Sequence, residues 1–207
     1  MRRLNKSGVL LVLIGLLCVS AGLMLFFHNM WDDFRAGLAV SEEKKMLLAA
    51  VLPPLEEYEA HVNVQQKEAA SDEYRQMPVK TIHGTDYVAM INIPALSLEL
   101  PVRATWSYEG LKYSPCRYAG SAFMDDLVIC AHNYSQHFGR IKDLETDSEI
   151  LLLDMEGNLF RYRVVQIETL APKDIREMIE SSYDLTLFTC TLGGRTRVTV
   201  RCMRAGD

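Results

Sequence analysis

Twenty consecutive residues, Gly8 to Phe27, carry no charge, and no water-soluble core can be built around them alone. A helix rises ~1.5 Å per residue, so about 20 apolar residues cross the ~30 Å hydrocarbon layer of a bilayer. The run is therefore predicted to span a membrane. Arg2, Arg3 and Lys6 precede it while Asp32 and Asp33 follow it, and this charge asymmetry predicts a cytoplasmic N-terminus with the remainder extracellular, held by a single-pass anchor. A cleaved signal peptide is the rival reading, because Val19-Ser20-Ala21 offers small residues. The run exceeds the usual apolar core of about 7–15 residues for such a peptide, which favours an uncleaved anchor. Gly15-Leu16-Leu17 ahead of Cys18 lacks the small residue expected just before a lipidated cysteine, so a lipoprotein is not read.

Beyond the span the texture changes twice, which divides the 207 residues into a cytoplasmic start and anchor over 1–30, a helical stalk or set of N-terminal helices over 31–76, and a β domain over 77–207. In the middle part Ser41-Glu42-Glu43 is a plausible cap before Met46, Leu47, Val51 and Leu52. Pro53-Pro54 should end that helix, and a second, highly charged helix is expected from Leu55 to about Arg75, solvated or lying on the main domain by one stripe.

From Met77 onward short apolar runs alternate with turn residues. Strands are predicted over Tyr87–Ile93, Leu98–Val102, Leu127–Ala131, Glu149–Asp154, Leu159–Ile167, Leu185–Thr189 and Arg197–Cys202. Met155-Glu156-Gly157-Asn158 reads as a hairpin turn, and only Pro172–Ser182 looks helical. Seven or eight strands in this length predict a mainly β fold, a closed or nearly closed barrel with short helices.

The net charge of −5, with no basic tract outside the first residues, excludes a nucleic-acid binder of the usual electrostatic kind. The five cysteines (18, 116, 130, 190, 202) fit neither a CxxC pair nor a Cys/His zinc spacing. No metal and no cofactor are called for. Cys130 and Cys202 sit inside apolar strands and read as small buried hydrophobes. Cys190 differs, because it follows Thr189 and borders the turn Leu192-Gly193-Gly194.

Period-two alternation puts Val198, Val200 and Cys202 on one face of the last strand and Arg197, Thr199 and Arg201 on the other. In the preceding strand Leu185 and Leu187 oppose Thr186, Phe188 and Cys190. The turn should therefore return Arg197 beside Cys190 on the outer wall of the barrel, where a groove is expected. A thiol at that place needs a neighbouring base or cation to become a nucleophile. His132, at the end of the LVICA strand, can protonate a leaving amine and take a proton from an incoming one. Arg197 cannot serve as a base and can donate hydrogen bonds to substrate or to a developing oxyanion. Arg195 and Arg201 share its face and are alternatives, with Arg195 the runner-up; His137 is the alternative to His132, although His137-Phe138-Gly139 reads as a loop that packs Phe138.

Thr186-Leu187-Phe188-Thr189-Cys190, His132 in Ala-His-Asn, and Arg197 in Thr-Arg-Val-Thr-Val-Arg resemble the signature of the sortases, the membrane-anchored cysteine transpeptidases of Gram-positive bacteria. The resemblance runs from about Val88 to Arg204 and includes INIPALSLELPV and HFGRIKDL. It implies an eight-stranded barrel with Cys190 as nucleophile, His132 as general acid and base, Arg197 as the substrate and oxyanion group, and Thr189 shaping the groove. The residue before the histidine is usually Gly in that family and is Ala131 here, a change expected to be tolerated. The helical segment before the barrel is similar to class B members, whereas the stretch Leu170 to Leu185 is short for that class.

The function this implies is cleavage of an LPxTG-like motif near the C-terminus of a secreted protein, through a thioacyl link to Cys190, and transfer to a cell-wall or pilin amine. Two rivals stand beside it. One is a membrane-anchored cysteine peptidase whose acyl-enzyme is resolved by water, and the other is a non-enzymatic extracellular barrel module. The N-terminal segment is expected to contribute location rather than chemistry, so that a chain starting near Met77 remains soluble and active on peptide.

Overall fold

The computed structural model describes residues 6–51, 75–191 and 193–206. Its first element is one helix, α1, Lys6–Val51. At ~1.5 Å per residue its 46 residues extend about 69 Å, more than twice the ~30 Å of hydrocarbon. Leu11, Leu17 and Met24 in the apolar half are 69%, 69% and 75% exposed, so no described residue covers them. It is the one helix among the described residues long and apolar enough to cross a membrane. The expected cap at Ser41 is not used, because the helix passes straight through it; no proline precedes Pro53 and the helix formers on either side leave nothing to stop it. The second helix expected at 55–75 falls almost entirely outside the described residues.

The β domain closes on itself. Its strands are β1 (Lys80–Ile82), β2 (Thr85–Ile93), β3 (Leu98–Arg103), β4 (Cys116–Ala119), β5 (Leu127–Ala131), β6 (Glu149–Asp154), β7 (Leu159–Leu170), β8 (Leu185–Cys190) and β9 (Arg197–Arg204). The order β2-β3-β4-β5-β8-β9-β7-β6 is completed by pairing of β6 with β2, so eight strands form the closed barrel. The three-residue β1 is added to the start of β2 by a tight turn whose central residues, His83 and Gly84, both have positive φ, 49° and 79°. That backbone matches the twist of a two-residue hairpin. The turn between β6 and β7 is fastened by Asp154, whose Oδ1 accepts from the amides of Glu156 and Asn158, with Gly157 at φ 89°. Pro101 sits within β3 at no cost in ladder bonds, because β3 is joined to β4 through a single register pair, Arg103 opposite Cys116. The helix expected at Pro172–Ser182 shortens to α2, Ile175–Ile179.

Alternation along the strands separates two apolar layers. Inside the barrel lie Leu127, Ile129, Ala131, Leu185, Leu187, Val200 and Cys202 with the rest of the main core. Outside it Val128, Cys130, Phe188 and Cys116 form a second cluster with Leu111, Leu170 and Met178. The polar half of α1 lies along the barrel wall by a helical stripe. Ala36, Val40 and Leu47 are buried in it, Glu43 pairs with Arg103, and Lys44 pairs with Glu99. The contacts run in order: Asp33 meets the segment after β5, and Leu47, four turns further on, packs with Ile82, Tyr87, Met90 and Met155 at the β1–β2 end.

Candidate active site

Three adjacent strands end at one place on the outer wall. β5 and β8 run parallel with Ala131 opposite Thr189, so the residues that follow, His132 and Cys190, leave their strands side by side. β8 and β9 run antiparallel with Cys190 opposite Arg197. Since Ala131, Leu187 and Val200 face the core, period-two alternation sends His132, Cys190 and Arg197 outward. The three residues singled out in the sequence are thus brought together on one face, all of them half-buried. Arg197 Nη1 donates to the carbonyls of Gly194 and Thr196, both at 3.1 Å, which holds the guanidinium against the turn. The turn itself is closed by Thr191 and Thr196, amide to carbonyl at 3.0 Å, and depends on positive φ at Gly193 and Gly194.

Thr189 lies behind this face. It is 3% exposed and its hydroxyl donates to the Ala131 carbonyl at 2.9 Å, so it ties the ends of β5 and β8 together from the inner side. Ala131 is itself in the barrel core at 4% exposure, where an extra methyl group relative to glycine is packed. Burial, with a smaller contribution from the Lys112 ammonium, lowers the His132 pKa and favours the neutral imidazole.

The alternatives are placed elsewhere. His137 is fully buried and neither ring nitrogen has a hydrogen-bond partner of good geometry. Phe138 beside it is a core residue, as the sequence suggests. Arg201 lies opposite Thr186, four residues along β9 from Arg197. It is 2% exposed and fully engaged with Glu168, Thr186 and the carbonyls of Glu177 and Met178. Arg195 is exposed in the turn, before β9 begins.

An aromatic chain that periodicity does not disclose extends from the site. Phe188, two residues before Cys190, meets Tyr118 edge-on at 5.3 Å; Tyr118 meets Trp106 at 5.8 Å, and Trp106 meets Tyr108 at 5.0 Å. Gln76, Thr105, Trp106, Arg117 and Tyr118 line a cleft of about 400 Å³ at the far end of this row. Trp106 and Tyr108 stand in an irregular connection, so their only signal in the sequence is the pairing of two large aromatics in a polar segment. Among the described residues no group of His, Cys, Asp and Glu could hold a metal ion.

A closed eight-stranded barrel with cysteine, histidine and arginine at the ends of three neighbouring strands has the architecture of a sortase. The Sortase domain family model matches residues 91–205, more than half of the chain, and the chain belongs to the sortase family. Solved structures agree in fold. Sortase A from Corynebacterium diphtheriae is 22% identical, with a TM-score of 0.52 over 59% of this chain and 62% of that one. A pilus-related sortase C of Group B Streptococcus is 23% identical, TM-score 0.52, over 58% and 68%. Clostridium perfringens sortase C, solved with the C-terminal cell wall sorting motif, is 26% identical, TM-score 0.50, over 57% and 70%. The chain thus spans less than two thirds of the first of these. Comparison with curated proteins returned no match.

Proposed function

We propose that the protein is a membrane-anchored transpeptidase that cleaves an LPxTG-like sorting motif and transfers the acyl part to a cell-wall or pilin amine. The observation that carries this reading is the strand register, Ala131 opposite Thr189 and Cys190 opposite Arg197, which sets His132, Cys190 and Arg197 side by side. The Cys190 thiol passes its proton to His132 and the resulting thiolate attacks the scissile carbonyl carbon, while Arg197 donates hydrogen bonds to the oxyanion or to the adjoining substrate backbone. His132 delivers a proton to the leaving amine as the C–N bond breaks, leaving a thioester on Sγ. The incoming amine gives up a proton to His132 as it attacks the thioester; the C–S bond breaks, and His132 returns that proton to the departing Cys190 sulfur, regenerating the thiol. The apolar half of α1 is the anchor, with the N-terminus cytoplasmic and the barrel outside, where secreted substrates emerge. The boundaries 1–30, 31–76 and 77–207 separate anchor, helical segment and catalytic barrel in this scheme. That Clostridium perfringens sortase C was solved with a cell wall sorting motif supports a peptide of that class as substrate.

The test is thioester formation with a sorting peptide, followed by mass spectrometry, in the presence and absence of an oligoglycine or diaminopimelate-type amine. Cys190→Ala should abolish the adduct. His132→Ala should slow turnover roughly 10²–10⁴-fold and Arg197→Ala roughly 10²–10³-fold, with Arg195→Ala mild. A wild-type rate in Cys190→Ala would sink the assignment, and products formed only with water would favour the peptidase.

A further inference from the structure

Asp33 lies just past the apolar run, on the face of α1 that meets the barrel. Both of its carboxylate oxygens are used within the protein: Oδ1 accepts from the Ser135 amide at 2.6 Å and Oδ2 from the Ser135 hydroxyl at 2.5 Å. Among the described residues no salt bridge joins it to a cation, whereas its neighbour Asp32 pairs with His28 and Arg35. One turn further along the helix, Gly37 allows an approach so close that an added Cβ would lie 2.9 Å from Gln136 Cγ. The helix therefore grips two consecutive residues of the segment that leaves the end of β5.

That segment carries His132. Its far end is fixed from inside by Phe138, fully buried, whose amide donates to the His132 carbonyl at 3.1 Å. It is kept tight by Gly139, where a Cβ would meet the Asn133 carbonyl oxygen at 2.5 Å. Between these fixed points the Tyr134 ring rests against the His132 ring, centroids 5.0 Å apart. Tyr134 is also held by its ring against His137, centroids 5.4 Å apart, and by its carbonyl, which accepts from the amides of His137 and Gly139; Ser135 is next to it, so a shift of Ser135 away from the barrel works against these ties and displaces the ring against which the imidazole sits.

We propose that Asp33 is a positioning residue for His132, acting through Ser135 and Tyr134, so that seating of the anchoring helix on the barrel completes the site. This rests on the proton-transfer role of His132 in the reading above. The helix then contributes to chemistry as well as to location. The substrate and acceptor are untouched by Asp33, and its loss should affect the chemical step rather than peptide affinity.

The full-length protein in lipid nanodiscs, with a sorting peptide, tests this in two measurements. In Asp33→Ala the amides of Ser135 to Phe138 should exchange with solvent roughly tenfold faster. The kcat for thioester formation should fall roughly tenfold to a hundredfold, with KM within about twofold. Asp33→Asn keeps an acceptor for the Ser135 amide and should recover most of the rate. Ser135→Ala leaves α1 intact and removes only the hydroxyl donor, so it should lose part of the rate even where Asp33→Ala loosens the helix. Unchanged exchange in Asp33→Ala, or a loss expressed in KM with kcat intact, overturns the proposal. A wild-type protein that never forms a thioester overturns the catalytic reading instead, and the exchange measurement still decides whether Asp33 holds the segment.

Discussion

Cys116, Cys130 and Cys202 are at most 2% exposed and unpaired with one another, and burial raises the Cys116 thiol to about 11 and pushes the other two up as well. Cys190 is half-buried at a strand end. Alkylation of the folded protein at pH 8 should therefore modify Cys190 first among the cysteines beyond the span, with the three others labelled only on unfolding. Peptide mapping after a short pulse checks this, and equal labelling of Cys130 would contradict it. A second residue-scale effect belongs to His137. Burial, then the neighbouring His132, lowers its pKa to about 4, opposed by the Tyr113 carbonyl and by Asp33. The unfolded chain takes up this proton near pH 6.5 and the folded protein only near 4, so the contribution to stability is complete above about 6.5 and is lost as pH falls to about 4. The loss amounts to about 3 kcal/mol. His137→Phe should flatten that part of the stability curve in denaturant titrations at pH 7 and pH 4.5; an equal slope in both proteins would exclude His137 as its source.

Among the elements, α2 is held to the barrel by buried Met178 and by Arg201, which reaches two helix-end carbonyls, Thr186 and Glu168 from one buried position. Arg201→Met leaves those acceptors without a donor and should cost about 3 kcal/mol, read as a shift in urea midpoint, with Cys190 chemistry spared. A loss below about 1 kcal/mol would place Arg201 with ordinary surface pairs. The same residue shows what the sequence conceals. Alternation places Arg197 and Arg201 on one outer face correctly, yet burial under α2 depends on a chain reversal that no periodicity encodes. Strands with strong alternation were legible to within a few residues, and β5 and β6 in full. β1 and β4 were not legible, because strands of three or four residues carry too little pattern. Cys190, His132 and Arg197 were visible as residues at strand ends. The grip of Asp33 on Ser135 was not, since it joins positions 102 apart in sequence.

At the scale of the molecule, α1 belongs to two environments at once. Its docked stripe covers Ile82, Tyr87, Met90 and Met155 with Leu47 and leaves Arg103 bonded to Glu43. A chain starting at Met77 uncovers the part of each side chain that faces Leu47, at about 25 cal/mol per Å² of apolar surface exposed, on the order of 2 kcal/mol in all. A chain starting at Asp32 keeps them covered. The shorter chain is expected to melt roughly 5–10 °C below the longer one, and equal melting temperatures would show that the stripe adds no stability.

The uninterrupted helix also has an angular meaning. Asp33 stands six positions beyond Phe27, at the edge of the apolar run, in the same helix α1, a rise of about 9 Å with no hinge. Each residue added to or removed from that interval would turn the barrel by about 100° around the helix axis while changing its height by only ~1.5 Å. With the apolar run as the proposed anchor, the barrel would then face a different bearing across the bilayer surface, so the spacing between Phe27 and Asp33 would work as a compass setting as much as a tether length.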